Sequence, residues 1–77
     1  MADDRDFLAL AFAEAETGLR EGGVPVGAAL VGADGQVIAT GRNRRVQSGD
    51  PIAHGEMDCL RRAGRQRSYA GTTLFTT

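Results

Sequence analysis

Apolar residues recur with the period of an α-helix between Asp3 and Glu21. Four of them have the spacing i, i+4, i+7 and i+11, which places them on one helical face: Leu8, Phe12, Ala15 and Leu19. Asp3 or Asp4 can cap the first turn, and Asp6 adds negative charge where the helix dipole favours it. The following Gly22-Gly23 can end the helix in the left-handed conformation. The pattern predicts a helix that packs through this apolar face.

Two short apolar runs follow and predict a β-hairpin. Val24 to Val31 is apolar without alternation, which indicates a strand covered on both faces. Pro25 belongs near the start of that strand, because proline cannot donate a hydrogen bond to a β-ladder. Ala33-Asp34-Gly35 is a turn sequence, and the apolar pattern resumes from Gln36 to Thr40. The two strands are therefore expected to pair across this turn.

The second half of the chain predicts a loop, a helix and a strand. Gly41 to Ile52 is polar and is expected to be a loop. A helix is expected from His54 to Ala63, ended by Gly64, and a third strand from Thr72 to Thr77. Three side chains of that helix are expected to point inward: Met57, Cys59 and Leu60. A helix, a hairpin, a helix and a strand form the first half of an α/β layer sandwich.

The composition of the 77 residues restricts both the core and the metal sites that the chain can form. A chain this short buries only about 60% of its unfolded surface, and 11 residues are glycine, so an isolated core is expected to be weak. The single cysteine, Cys59, excludes an internal disulfide. With His54 as the single histidine, a complete His/Cys zinc site is excluded unless carboxylates contribute ligands.

The N-terminus has neither the basic nor the apolar segment of a secretory signal. No apolar run approaches the roughly 20 residues of a membrane span. These features predict a cytoplasmic, reducing setting without a membrane partner, in which Cys59 is a free thiol.

Charge is distributed unevenly, although the formal net charge is only −1. Residues 1–40 contain seven acidic and two basic residues, whereas residues 41–77 contain three acidic residues and seven arginines. This asymmetry permits an anionic partner near the second half. The alternative is that these arginines lie on solvated loop and helix faces.

The segment Asp50 to Glu56 leads from the polar loop into the second helix and places a histidine two residues before a glutamate. A helix N-terminus favours anionic species, and a neutral imidazole there can bind zinc. The Glu56 carboxylate could take the proton of a water on that metal and later return it. Taken alone, His-x-Glu recurs by chance, and a capping or packing role for His54 is the alternative.

Four segments in order carry a family resemblance: Glu21 to Ala28 (EGGVPVGA), Gly41 to Arg44 (GRNR), Asp50 to Glu56 (DPIAHGE) and Thr72 to Thr77 (TTLFTT). Together they resemble the cytidine and cytosine deaminase superfamily, in the branch with fungal-type cytosine deaminase, guanine deaminase and tRNA adenosine deaminase. Gly55 in His-Gly-Glu, together with Glu21 to Pro25 (EGGVP), most resembles the pattern of cytosine deaminase, because the other two enzymes usually carry alanine at the position of Gly55. The resemblance implies a three-layer α/β/α sandwich with a mixed sheet, of which this chain is roughly the N-terminal half.

The resemblance also implies Zn2+ as the cofactor and a role for five residues. His54 matches the zinc-ligand histidine, and Glu56 matches the glutamate that transfers protons. The Gly55 backbone N–H is expected to bind the carbonyl oxygen of the base. Asn43 is expected to hold the ring edge, or else to be an ordinary loop turn, and Val26 to line the pocket, or else to be a core strand residue.

The Pro-Cys-x-x-Cys motif that supplies the family's other zinc ligands is absent from this sequence. Cys59 cannot replace it, because it lies inside the His54 helix and is expected to pack in the core. Residues 1–77 are therefore expected to be the N-terminal part of a single deaminase domain and to be inactive alone.

The activity that the resemblance implies is the hydrolysis of cytosine to uracil and ammonia in nucleobase salvage, by a homodimer. Guanine deaminase and a tRNA adenosine or nucleoside deaminase are the alternatives within the superfamily, and the arginine-rich second half keeps tRNA as a candidate partner. The alternative of another class is a non-catalytic folding or assembly module with an open strand edge.

Overall fold

A computed structural model describes residues 3–77 of the chain. The elements are α1 (Asp4–Arg20), β1 (Gly27–Val31), β2 (Val37–Arg42), α2 (Arg45–Ser48), α3 (Gly55–Ala63) and β3 (Thr73–Thr76). The predicted helices and strands are present within a few residues of their expected bounds, and the expected loop contains the short helix α2. None of the helices in residues 3–77 combines the length and the apolar character needed to cross a bilayer.

The three strands form one sheet in the order β2-β1-β3. Both pairings are antiparallel, so that Ala28 on the central strand lies between Gly41 on β2 and Thr76 on β3. All residues of β1 are buried, as predicted for a strand that is covered on both faces.

Helices α1 and α3 cover opposite faces of this sheet. Gly41 and Arg42 are neighbours on β2, so their Cβ directions point to opposite faces. A side chain at Gly41 would collide with the backbone of Cys59 in α3, whereas the Arg42 side chain reaches Glu14 in α1. The sheet therefore lies between α1 and α3, in three layers.

The expected inward face of α1 is confirmed at Ala15, which is buried, and is wrong at the other three positions. Leu8, Phe12 and Leu19 are 43%, 60% and 60% exposed. The buried residues of α1 are Phe7, Ala11, Ala15 and Gly18. The reason is the close approach of α1 to β1: a Cβ atom on Gly27 would collide with the carbonyl oxygen of Ala11 and lie 2.8 Å from the nitrogen of Ala15. Small residues are required where two backbones come this close.

The expected inward face of α3 is also wrong in part. Met57 and Leu60 are 48% and 37% exposed, whereas Cys59 is fully buried against Ala28 and Leu30. The Cys59 thiol donates a hydrogen bond of 3.4 Å to the carbonyl oxygen of Ala39, and burial raises the pKa of that thiol. This is the core position expected for Cys59. Asp58, which no apolar pattern could place inside, is only 7% exposed.

The two ends of α1 match their predicted signals. The Asp3 side chain accepts hydrogen bonds from the backbone nitrogens of Arg5 and Asp6 at 3.0 and 3.2 Å. The Asp6 carboxylate accepts one from the Asp3 nitrogen at 3.0 Å, which completes a capping box. After the last turn, Gly22 takes a φ of +81°, in the left-handed region that favours glycine.

Acidic residues of the first half of the chain form ion pairs with arginines of the second half. Arg42 pairs with Glu14 at 2.6 Å and with Glu21 at 2.9 Å, and Arg62 reaches Glu14 at 3.3 Å. The expectation of solvated arginines is wrong for Arg42, whose side chain is only 13% exposed. Hydrogen bonds from Arg42 and then Gln47 lower the pKa of Glu21 to about 2. Part of the uneven charge distribution is thus explained by ion pairs between the two halves of the chain.

Candidate active site

His54 is the residue that precedes α3 and caps it through its backbone. Its φ and ψ of −71° and 160° are extended, and its carbonyl oxygen accepts a hydrogen bond of 2.8 Å from the nitrogen of Asp58. The imidazole makes no capping hydrogen bond, and the residue is exposed. Neither side-chain capping nor core packing therefore accounts for a histidine here.

Glu56 lies in the first turn of α3, two residues after His54, and is half-buried. Within residues 3–77, no arginine lies within ion-pair distance of its carboxylate. The imidazole and the carboxylate thus stand at the same end of one short helix, and among residues 3–77 the Glu56 carboxylate is in no ion pair. Such a pair can bind a metal ion and move a proton beside it.

Three further predicted residues meet beside this helix end. The backbone nitrogen of Asn43 donates a hydrogen bond of 2.9 Å to the carbonyl oxygen of Val26. Gly55 is buried against both, because a Cβ atom on it would lie 3.4 Å from Val26 Cγ1 and 3.6 Å from the Asn43 nitrogen. The fold thus brings together a residue that precedes β1, a residue that follows β2 and the start of α3.

The Asn43 side chain is only partly used by the loop that carries it. Asn43 is 4% exposed, and its Oδ1 accepts a hydrogen bond of 3.1 Å from the backbone nitrogen of Arg45. The loop-turn role considered for this residue is therefore real. The atom that faces the Arg45 N–H must be the oxygen, which directs the NH2 group elsewhere. An amide anchored in this way can present its two N–H donors to a ligand.

The loop between β2 and α3 is held by hydrogen bonds between its own residues. The Arg44 nitrogen donates to the carbonyl oxygen of Ala53 at 2.8 Å, and the Ile52 nitrogen donates to Asp50 Oδ1 at 3.0 Å. A cavity of about 380 Å³ lies along this loop, lined by Val24, Arg45, Val46, Gly49 and Pro51. None of the five predicted site residues lines that cavity.

Sequence reasoning missed Asp58 and Arg44, which connect α3 to the Asn43 segment. Asp58 Oδ2 accepts a hydrogen bond of 2.9 Å from the Arg42 nitrogen, and Asp58 Oδ1 lies 3.0 Å from Arg44 Nε. The sequence feature that could have indicated Asp58 is its place directly beside Cys59, a cysteine expected to face inward on the same helix. A buried carboxylate needs partners of this kind.

The described residues do not form a complete metal site. No cluster of three or more His, Cys, Asp or Glu side chains suited to a metal ion occurs within residues 3–77. His54 is available as one ligand, whereas Cys59 lies on the sheet-facing side of α3. The residues present thus fit part of a zinc site and leave the other ligand positions unfilled.

Comparison with known proteins connects this arrangement to deaminases. The model of the cytidine and deoxycytidylate deaminase zinc-binding region matches residues 1–77. A cytosine deaminase of Candida albicans is 38% identical over 77 residues, which cover 97% of this chain and 51% of that enzyme. The chain thus spans about half the length of this relative.

Two solved structures are similar throughout the chain. One comes from a study of A-to-I editing by tRNA:A34 deaminases at the wobble position of transfer RNA. It has a TM-score of 0.86 and 38% identity, and the match covers 99% of this chain and 60% of the other. The guanine deaminase of Bacillus subtilis has a TM-score of 0.82 and 34% identity, and the match covers 97% of this chain and 50% of that enzyme. The predicted deaminase fold is confirmed, and zinc is the metal of the family. On these grounds the chain belongs to the cytidine and deoxycytidylate deaminase family and carries its zinc-binding region.

Proposed function

We propose that the protein to which this chain belongs hydrolyses cytosine to uracil and ammonia in a zinc-dependent reaction. The observation that carries the proposal is the meeting of five residues at the start of α3. There His54 and Glu56 stand next to the contact between Val26, Asn43 and Gly55. The similarity to the Candida albicans cytosine deaminase and the glycine between His54 and Glu56 favour cytosine as the base.

Residues 1–77 form, in this proposal, the N-terminal part of a single deaminase domain. His54 would hold the zinc ion together with ligands from elsewhere in the protein. When bound, zinc supplies Lewis acidity that makes a water molecule nucleophilic near neutral pH. This chain alone, with one ligand, is expected to bind zinc weakly and to be inactive.

The other residues of the site transfer protons, bind the base and exclude water. Glu56 takes one proton from the water that attacks C4 and delivers it to the ring nitrogen. It then takes the second proton of the same oxygen and delivers it to the amine, so that the C4–N bond breaks and ammonia leaves. The Gly55 N–H binds the carbonyl oxygen of the base, and the Asn43 NH2 group holds the ring edge. Val26 packs against the ring and helps to exclude bulk water.

Replacing Glu56 tests the mechanism directly. In the full-length gene product, Glu56→Gln keeps the shape of the side chain but cannot accept the proton, so ammonia release should fall by a factor of about 10² to 10⁴. The zinc content should remain that of the parent, because Glu56 is not a ligand. Glu16→Gln is the matched control, since it removes an exposed glutamate of α1. Full activity in Glu56→Gln would refute the assignment.

The alternative substrates have specific support from the two similar structures, which are those of a tRNA:A34 deaminase and a guanine deaminase. Arg61, Arg65 and Arg67 are exposed and could contact phosphate groups. Ammonia release should be measured with cytosine, guanine, cytidine and tRNA, at low and moderate salt. Release with cytosine supports the proposal. Release from tRNA that moderate salt suppresses would favour the RNA enzyme instead.

The homodimer, the cytoplasmic location and the role in nucleobase salvage stay predictions of the resemblance. A non-catalytic assembly module is the alternative, and zinc analysis of the full-length protein separates the two. A stoichiometric zinc ion with ammonia release excludes the module.

A further inference from the structure

We propose that Asp58 is a positioning residue that sets the distance between Asn43 and the helix end that carries His54 and Glu56. This inference rests on the proposed function, because it assigns Asp58 a role in binding the base. Asp58 itself is not placed against the substrate.

The first observation is the pair of contacts that Asp58 makes on either side of Asn43. Its carboxylate is 8% exposed. One oxygen accepts the 2.9 Å hydrogen bond from the Arg42 nitrogen, and the other lies 3.0 Å from Arg44 Nε. The carboxylate therefore holds the residue before Asn43 by its backbone and the residue after it by its side chain.

The second observation is the place of Asp58 on α3. Its backbone nitrogen donates to the carbonyl oxygen of His54, so Asp58 lies one turn from the predicted zinc ligand. Glu56 lies between the two in the sequence. A single carboxylate thus connects the first turn of α3 to the segment that carries the substrate-binding amide.

The local bonds of Asn43 do not make this connection. Its nitrogen bonds to Val26 and its Oδ1 to Arg45, and neither of these residues belongs to α3. Arg62 adds a third contact to Asp58, with Nε at 3.7 Å from Oδ2. A buried, hydrogen-bonded charge of this kind contributes little net stability compared with an apolar residue. Its geometric role is the better reason for placing a carboxylate in the core.

The consequence can be measured without turnover. The zinc-loaded, full-length Glu56→Gln protein serves as the parent, and cytosine is titrated into it by calorimetry. Asp58→Asn keeps an acceptor for the Arg42 nitrogen but loses the charge that holds Arg44. We expect it to raise the Kd for cytosine by roughly tenfold, the loss of one charge-assisted hydrogen bond. The zinc content should stay unchanged.

Two comparisons separate positioning from general stability. Glu14→Gln removes another poorly exposed carboxylate partner of Arg42, on the α1 face, and should lower the melting temperature while leaving the Kd within about twofold. Asn43→Ala should raise the Kd by itself, and Asp58→Asn added to it should have little further effect, because both act on one contact.

The outcomes distinguish the two proposals. If the parent does not bind cytosine, or if Asn43→Ala binds it normally, the proposed function fails and this inference with it. If Asn43→Ala weakens binding but Asp58→Asn does not, or if the two effects add fully, Asp58 is only structural. Should Asp58→Asn fail to fold, Arg44→Gln breaks the same pair from its 28% exposed partner and must show the same rise in Kd.

Discussion

Helices α1 and α3 pack on opposite faces of one sheet, but their N-termini are built differently. At α1, Asp3 and Asp6 bond to each other's backbone nitrogens in a complete capping box. At α3, His54 holds the same position and its side chain makes no capping bond. The first turn of α1 satisfies its own donors, whereas the first turn of α3 leaves an imidazole and a carboxylate available.

The difference between the two N-termini shows where this small domain is less stable than another choice of residues would make it. A serine, aspartate or asparagine at the start of α3 would stabilise that helix, and a histidine stabilises it less. The same helix carries a buried carboxylate, Asp58, at a position that an apolar residue could fill. His54 and Asp58, the two residues that cost stability, each lie two positions from Glu56. This is expected where the demands of activity and stability conflict.

The largest effect is expected from exchanging the histidine of α3 for the kind of cap that α1 has. In metal-free full-length protein, His54→Ser should raise the free energy of unfolding by about 0.5–2 kcal/mol, because the hydroxyl can accept from the first turn. The same variant should lose ammonia release and bind zinc more weakly. Urea titration after chelation, with zinc analysis and an ammonia assay, measures both. A destabilised metal-free variant would mean that the imidazole of His54 already stabilises the first turn of α3.

The next effect, smaller on ammonia release than that of His54→Ser but larger on stability, concerns the two glycines over which the helices pack. Gly41→Ala places a methyl group 2.6 Å from Cys59 Cα and in collision with its nitrogen, while Gly27→Ala does the same to α1 at Ala11. The free energy of unfolding of each variant should fall by about 3 kcal/mol or more, because backbone atoms cannot move aside as a side chain can. Only Gly41→Ala displaces α3, so only it should raise the KM of the folded fraction.

Gly55→Ala is the control for this comparison, because its methyl group would meet Val26 Cγ1 at 3.4 Å, an ordinary contact. It should fold normally. Thermal melts and steady-state kinetics below the melting temperatures of the variants test the set. Equal KM values in Gly41→Ala and Gly27→Ala would show that α3 can move without disturbing the site.

The order of elements was predictable from sequence because its signals are local. The Asp3 cap, the Gly22 stop and the uninterrupted apolar run of β1 each depend on neighbouring residues. On α1 the apolar period predicts Ala15 correctly but places Leu8, Phe12 and Leu19 inside, where the structure leaves them exposed. Gly27 on a distant strand brings the helix so close that Ala11 and Ala15 are buried and Phe12 is not. That contact is not visible in a helical pattern.

The site was predictable only in part. The His-x-Glu spacing indicates its chemistry, but the roles of Val26, Asn43 and Gly55 came from the family resemblance. Their mutual contact requires the pairing of β1 with β2. Asp58 was missed because its partners, Arg42 and Arg44, lie 16 and 14 positions earlier in the chain. The burial of a charged side chain can be predicted only when the residues that it contacts are known.

A smaller effect is expected from removing the cap of α1. Asp3→Ala should lower the free energy of unfolding by about 1 kcal/mol, because two backbone donors lose their acceptor. Ammonia release should not change, since α1 carries no site residue. Denaturant midpoints and initial rates measure the two quantities. A loss of activity at a temperature where the variant is folded would contradict the division of roles between the two helices.

The smallest effect is expected at the other end of α1, where Glu21 pairs with Arg42. The folded-state pKa of Glu21 is about 2, below its ordinary value of 4.5, so its pairing adds stability above pH 4.5 that is lost as the pH falls toward 2. Glu21→Gln should therefore be slightly less stable than the parent at pH 7, and the difference should shrink in acid. Because Glu21 is exposed, added salt should shrink it too. Urea midpoints of both proteins at pH 7, 4 and 2.5 measure this difference. A difference that grows in acid would show that the pair with Arg42 does not stabilise α1, and that the capping box is its main terminal support.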